Sequence, residues 1–183
     1  MYFVRRVSPY VVPKQVRGLI LDLDLTLIGT AADGSRFALP GAVAWCREAF
    51  LFAPRSLAFC TGQSKTSAAE CIKSLLEMCG RVPEQNWICS AAKSLSQQPF
   101  LEALRILELE AREVLVVDDN PGAIANALVL GCQVVWVSNR AETELVSELL
   151  ARRDELPGGF FATVADPLDS VLDVSSIRFK PER

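Results

Sequence analysis

The sequence predicts a doubly wound α/β domain, a parallel sheet of five to six strands with helices on both faces. Short, uninterrupted apolar runs alternate with longer amphipathic stretches from residue 18 onward. Each run is brief and continuous, as in a strand covered on both faces, whereas a half-exposed strand alternates. No repeat, low-complexity tract or long linker divides the 183 residues, so the length suits one domain.

The elements follow in order. GLILDL (18–23) is the first strand, and Asp24 to Pro40 is the only long stretch without a regular pattern. Loops of that length inside a compact domain are usually functional. A helix is expected after Leu39-Pro40-Gly41, then SLAFC (56–60) as the second strand. From Ser64 to Cys79, Ala68, Ile72, Leu75, Leu76 and Cys79 recur on one helical face, with Gly80 as the stop. WICS (87–90) is the third strand, and Pro99 opens a helix that places Leu101, Leu104 and Leu107 together. EVLVV (113–117) is the fourth strand. Asn120-Pro121 then reads as an N-cap followed by proline in the first turn, with Gly131 closing that helix. QVVWVS (133–138), a helix from about Glu142 to Arg152, and a weaker sixth strand FFATV (160–164) after Pro157-Gly158-Gly159 complete the domain. The division is an arm over 1–17, one domain over 18–175 and a tail over 176–183.

Composition limits the chemistry. Half of the residues are hydrophobic and 22% are charged, so the chain can bury a core. There is no histidine. That excludes Ser-His-Asp and Cys-His catalysis and any histidine-ligated zinc or haem. A net charge of −3 argues against general nucleic-acid binding. Arg5, Arg6, Lys14 and Arg17 make the arm basic, and Tyr2, Phe3 and Tyr10 lie among them. Such an arm packs on the domain edge or, as the weaker reading, touches a membrane surface. The six cysteines form no CxxC pair and mostly sit in apolar runs, as buried thiols in a reducing compartment do. No transmembrane segment is expected, because no run reaches the roughly 18 to 20 apolar residues a membrane span needs. The expectation is a soluble cytoplasmic protein.

Ligands of open parallel sheets bind beyond the carboxyl ends of the strands. Those ends deliver Asp22, Asp24 and Thr26, then Thr61-Gly62, then Lys93, then Asp118-Asp119-Asn120. Carboxylates without sulfur or imidazole suit a hard cation such as Mg2+, which normally keeps waters and a phosphate oxygen. A lysine and a hydroxyl beside it can take the remaining phosphate oxygens. Without histidine, a carboxylate is the available nucleophile, and a second one two residues on can serve as general acid and base.

These residues resemble the motifs of the haloacid dehalogenase-like superfamily. LDLDLTL (21–27) resembles its DxDxT motif, LAFCTG (57–62) its second, AAKS (91–94) its third and VLVVDDN (114–120) its fourth. The order and the separations of 39, 32 and 25 positions between Asp22, Thr61, Lys93 and Asp118 fit as well. The resemblance implies a phosphatase with Asp22 as nucleophile and Asp24 as general acid/base. Asp24 would also ligate Mg2+ through its backbone carbonyl. Thr61, Gly62 and Lys93 would bind the phosphoryl group, and Asp22, Asp24, Asp118 and Asp119 would form the metal site. Ser94 departs from the proline common after the lysine, which leaves Lys65 as a fallback, and Ala123 stands where some subfamilies place another aspartate.

Neither gap between the first three motifs has room for a folded cap, so the resemblance is to capless members. An uncapped site makes a homodimer worth testing, and the phosphorylated substrate is of unknown class: macromolecular, sugar-phosphate or phospholipid-headgroup. The alternatives are a catalytically silent scaffold and a phosphotransferase using an acceptor other than water. VLVVDDN also resembles the first strand of receiver domains, but only 65 residues follow Asp118, and Thr61 and Lys93 precede it.

Overall fold

A computed structural model of the chain describes residues 15–39, 42, 43, 46, 56–79, 87–137 and 161–164. Its centre is a six-stranded sheet formed by β1 (Gly18–Leu21), β4 (Leu57–Thr61), β5 (Trp87–Cys89), β6 (Val114–Asp118), β7 (Gln133–Val137) and β8 (Phe161–Val164). The spatial order is β5-β4-β1-β6-β7-β8, and every neighbouring pair is parallel. From β1 the chain builds outward through β4 to β5, then crosses to β6 on the other side of β1 and continues to β8. The order therefore reverses between β1 and β6, and a crevice opens at the carboxyl ends of those two strands.

Burial explains the continuous apolar runs. Leu19, Leu21, Leu57, Phe59, Leu115 and Val117 face one core with Ala68, Cys71 and Leu75 of α1 (Lys65–Cys79). The intervening Ile20, Ala58, Cys60, Val114 and Val116 face a second core. Helices α2 (Gln98–Leu107) and α3 (Pro121–Leu130) supply Phe100, Leu104, Leu107, Ile124 and Leu128 to it. Both faces are covered, so every strand residue must be apolar until the strand ends. Val16 already lies in the first core, and Arg17 pairs with Glu113 at 2.8 Å.

The stretch from Asp24 to Pro40 is more ordered than its sequence pattern suggests. It carries an antiparallel hairpin, β2 (Ile28–Thr30) against β3 (Arg36–Ala38). The turn is made by Asp33, whose carboxylate accepts from the Ser35 amide at 2.9 Å and hydroxyl at 2.6 Å, and by Gly34 at φ 84°. Asp-Gly between short β-forming runs is a hairpin signal that the length of the stretch concealed. Before the hairpin, Leu25 adopts φ 58°. This left-handed turn costs a leucine about 1–2 kcal/mol. The Leu25 amide bond to Ile28 O and the Leu27 and Ile28 amide bonds to Leu23 O hold it.

Other elements match their signals with small shifts. Asn120 caps α3, its side chain accepting from the Gly122 and Ala123 amides at 2.9 and 3.2 Å, and Gly131 closes the helix at φ 93°. Strand β1 stops at Leu21, leaving Asp22 and Leu23 beyond it. Ala42, Val43 and Cys46 are helical, as expected after Gly41. The expected helix over 142–152, most of the arm and the tail lie outside the described residues. Among those described, no helix is long and apolar enough to cross a membrane, and Cys46, Cys60, Cys71, Cys89 and Cys132 are free thiols.

The cap on α3 gives a direct stability test. Asn120→Ala should lower the unfolding free energy by about 1 kcal/mol in urea, while Asn120→Asp should cost less. Equal stability of the alanine variant and wild type would contradict the cap.

Candidate active site at the strand switch

The crevice between β1 and β6 collects the polar strand ends. Asp22 follows β1, its amide continuing the ladder to Val117 O at 2.9 Å. Asp118 is the last residue of β6 and is buried beside it. Lys93 comes from the short 3-10 turn Ala91–Ser94 after β5, capped by the Ser90 side chain. Its ammonium lies 2.5 Å from Asp22 Oδ1 and 2.8 Å from Asp118 Oδ2, and also donates to Cys60 O at 3.4 Å. The lysine side chain is only 7% exposed. The other Asp22 oxygen accepts the Thr26 hydroxyl at 3.3 Å, and the other Asp118 oxygen accepts the Asn120 amide at 2.8 Å.

A carboxylate oxygen of Asp119 lies within 4.8 Å of one from each of Asp22 and Asp118. Asp24 stands outside that trio. It is half-buried and joined to Ile28 by an isolated backbone bridge. Thr61 ends β4 one strand away, fully buried, with its hydroxyl accepting the Gln63 amide at 3.2 Å. Gly62 follows on the exposed rim, with open space where a side chain would stand. Lys65, the fallback, begins α1 as an exposed residue. The position between the carboxylates belongs to Lys93.

Three further residues hold this arrangement and were not evident from the sequence. Asn126 Nδ2 donates to Lys93 O at 3.0 Å. Gly122 lets the start of α3 approach the lysine turn so closely that a Cβ there would sit 2.7 Å from Ser94 O. Trp136 Nε1 donates to Asp119 O at 2.8 Å. Each contact joins segments distant in the chain, and the residue types carry no local signal of it. The hairpin residue Arg36 reaches the same neighbourhood, donating to Gln63 Oε1 at 2.9 Å and to Cys71 Sγ.

Electrostatically the centre is over-supplied with negative charge. Burial raises the Asp22 carboxyl above its ordinary value against the pull of Lys93. Asp118 is pushed up to about 7, first by burial and then by the Asp22 charge, with Lys93 opposing. The Lys93 ammonium is stabilised by both acids beyond what its own burial costs. Burial pushes the neighbouring Cys60 thiol up to about 12, so it stays protonated and is no nucleophile. What remains is a nest of hard oxygen donors around one fixed cation. Such a set of oxygen donors fits a hard cation such as Mg2+.

The fold is similar to that of several solved structures. The chain is similar to a hydrolase from Pseudomonas syringae at 15% identity and TM-score 0.61, covering 84% of this chain and 95% of the other. It is also similar to a HAD family hydrolase from Deinococcus radiodurans with bound phosphate and sodium, at 11% identity and TM-score 0.58, over 83% and 92% of the two chains. The chain has the haloacid dehalogenase-like fold. A third similar structure is the D,D-heptose 1,7-bisphosphate phosphatase from B. bronchiseptica complexed with magnesium and phosphate. It shares 19% identity at TM-score 0.56, over 85% of this chain and 95% of that one. No protein-family model matches the sequence, and no curated protein is significantly similar to it.

The raised Asp118 carboxyl has a definite sign. A carboxyl whose folded-state value exceeds its unfolded one favours the fold below about 3.8 and loses that contribution as pH rises through about 7. In metal-free protein the 13C carboxyl resonance of Asp118 should therefore titrate with a midpoint near 7. A midpoint at or below the ordinary value would refute the over-charged centre.

Proposed function

We propose that this protein is a Mg2+-dependent phosphomonoester hydrolase of the capless kind, acting through an aspartyl-phosphate intermediate. One observation carries the reading: the Lys93 ammonium fixed between Asp22 and Asp118 at the strand switch, with the Asp119 carboxylate alongside. A buried cation among carboxylates at the strand ends matches what a transferring phosphoryl group requires: fixed charge, a nucleophile and a metal position.

In this reading Asp22 attacks phosphorus while the ester P–O bond breaks, and Asp24 gives its proton to the departing alcohol oxygen. Asp24 then takes a proton from the water that cleaves the Asp22 phosphoanhydride, returning both carboxylates to their starting state. Microscopic reversibility makes one group serve both directions of proton movement. Thr26 steadies Asp22 through its hydroxyl. The Thr61 hydroxyl, the Gly62 amide and the Lys93 ammonium hold the non-bridging phosphoryl oxygens. Asp22, Asp119, Asp118 and the Asp24 carbonyl would hold Mg2+, which when bound neutralises charge shared by phosphate and carboxylates. Two carboxylates carry the proton transfer and nucleophilic attack, so the absence of histidine is no obstacle.

Two outcomes are expected. Hydrolysis of 4-nitrophenyl phosphate should need Mg2+ and stop in EDTA; turnover without any divalent cation would overturn the mechanism. Asp22→Asn should abolish turnover and leave the metal-free thermal midpoint equal or higher, because it removes one of two acids competing for one lysine. Activity near wild type in that variant would reassign the nucleophile.

A further inference from the structure

The proposed acid and the proposed phosphate ligands sit on different segments. Asp24 is bridged to Ile28 at the start of β2, and the neighbouring Leu25 amide donates to Ile28 O at 2.8 Å. The acid is therefore carried by the hairpin. Thr61 and Gly62 end β4 and lead into α1. Proton transfer to a leaving oxygen needs these two sets at a fixed separation. The main sheet does not supply it, because β2 and β3 form a separate two-stranded sheet. A cavity of about 730 Å³ also lies between the hairpin and α1, with Ile28 and Ala38 on one side and Glu70, Cys71 and Ser74 on the other.

Arg36 spans that gap. The register sets it on the same face of the hairpin as Ile28 and Ala38, toward the first core, with Gly29 and Phe37 on the opposite face. Its Nη1 donates to Gln63 Oε1 at 2.9 Å and to Cys71 Sγ. Gln63 is the hub on the far side. Its Oε1 also accepts the Ser67 hydroxyl at 2.9 Å, and its backbone amide donates to Thr61 Oγ1 at 3.2 Å. With that oxygen accepting from Gln63, the Thr61 hydroxyl hydrogen is left for a phosphoryl oxygen. Holding the Gln63 oxygen toward its donors has a cost, since Nε2 is buried with no hydrogen-bond partner among the described residues. A glutamine kept in that orientation serves as an acceptor, and Arg36 is the donor from across the gap. The Asp24 and Glu70 carboxylates act on the Arg36 charge as well, so the guanidinium lies within electrostatic reach of the acid.

We propose that Arg36 is a positioning residue, a tie that sets the hairpin-borne Asp24 against the Thr61–Gly62 phosphate loop through Gln63. The assignment rests on the phosphatase reading above and adds to it the group that keeps acid and phosphate loop in fixed relation.

Leaving groups of different basicity test the placement of the acid. Departure of 4-nitrophenolate needs little protonation, whereas phenolate needs a well-placed proton donor. The two esters present the same phosphate, and kcat/KM covers the steps through P–O cleavage. Arg36→Ala should lower kcat/KM for phenyl phosphate about tenfold more than for 4-nitrophenyl phosphate. Gln63→Met, which removes the acceptor and keeps the backbone amide, should widen the ratio similarly, and the double variant should widen it no further. A side chain that only stabilised the fold would slow both esters alike. An unchanged ratio in Arg36→Ala, or additive effects in the double variant, overturns the assignment. Hydrogen exchange of the metal-free protein reads the tie without turnover. Arg36 is exposed, so its loss leaves the core intact. Amides of the two hairpin strands should exchange about tenfold faster in either variant, and unchanged exchange also overturns the tie. Wild type that hydrolyses neither ester while hairpin exchange responds would defeat the phosphatase reading and leave the tie standing.

Discussion

The structure turns on one buried lysine shared by two buried acids. Removing an ammonium and two carboxylates from water is expensive, and their mutual attraction offsets that only when the geometry is close and the remaining lone pairs are satisfied. Each condition is met by a different part of the chain. Strands β1 and β6 bring Asp22 and Asp118 side by side, while Thr26 and the Asn120 amide take the oxygens that Lys93 does not. The lysine turn is pinned from behind by Asn126 and by the close approach at Gly122. Losing Lys93 would leave two buried carboxylates without their cation. When both acids are ionised the three groups sum to one negative charge, which suits a divalent cation.

The sheet order explains why these groups meet. Asp22 and Asp118 are separated by nearly a hundred residues, yet their strands are hydrogen-bonded neighbours because the chain reverses direction of growth at β1. Elsewhere among the described residues, β4 and β5 are joined by α1 and β6 and β7 by α3, each covering one face. At the switch the connecting segments diverge, and the crevice they leave is where polar side chains can end a strand without entering either core. The two-sided burial that demands apolar runs also confines the polar residues to this rim.

That confinement made much of the site legible. In GLILDLDLTLI, aspartates in an otherwise apolar segment mark where a strand leaves the core, and the same holds for VLVVDDN. The cap at Asn120 and the stop at Gly131 could be read from residue chemistry alone. The hairpin was missed because its strands are three residues each, too short to show a period, although Asp33-Gly34 gave a turn signal. The residues that position the centre were invisible for another reason. Asn126, Trp136 and Gly122 act through contacts made only after the sheet assembles, and an asparagine or tryptophan within a buried segment has many other uses. Arg36 fell inside a stretch read as a whole as a functional loop, and only the folded hairpin shows which side chain faces α1.

Trp136 makes the centre observable from outside. Its indole is almost wholly buried, and its N–H is spent on the backbone carbonyl of Asp119. Indole emission is sensitive to the polarity and hydrogen bonding around that nitrogen. A change in how Asp119 is held thus reaches a chromophore through a single hydrogen bond, with no label attached. The same contact that steadies the acidic rim gives the molecule an intrinsic optical gauge of it.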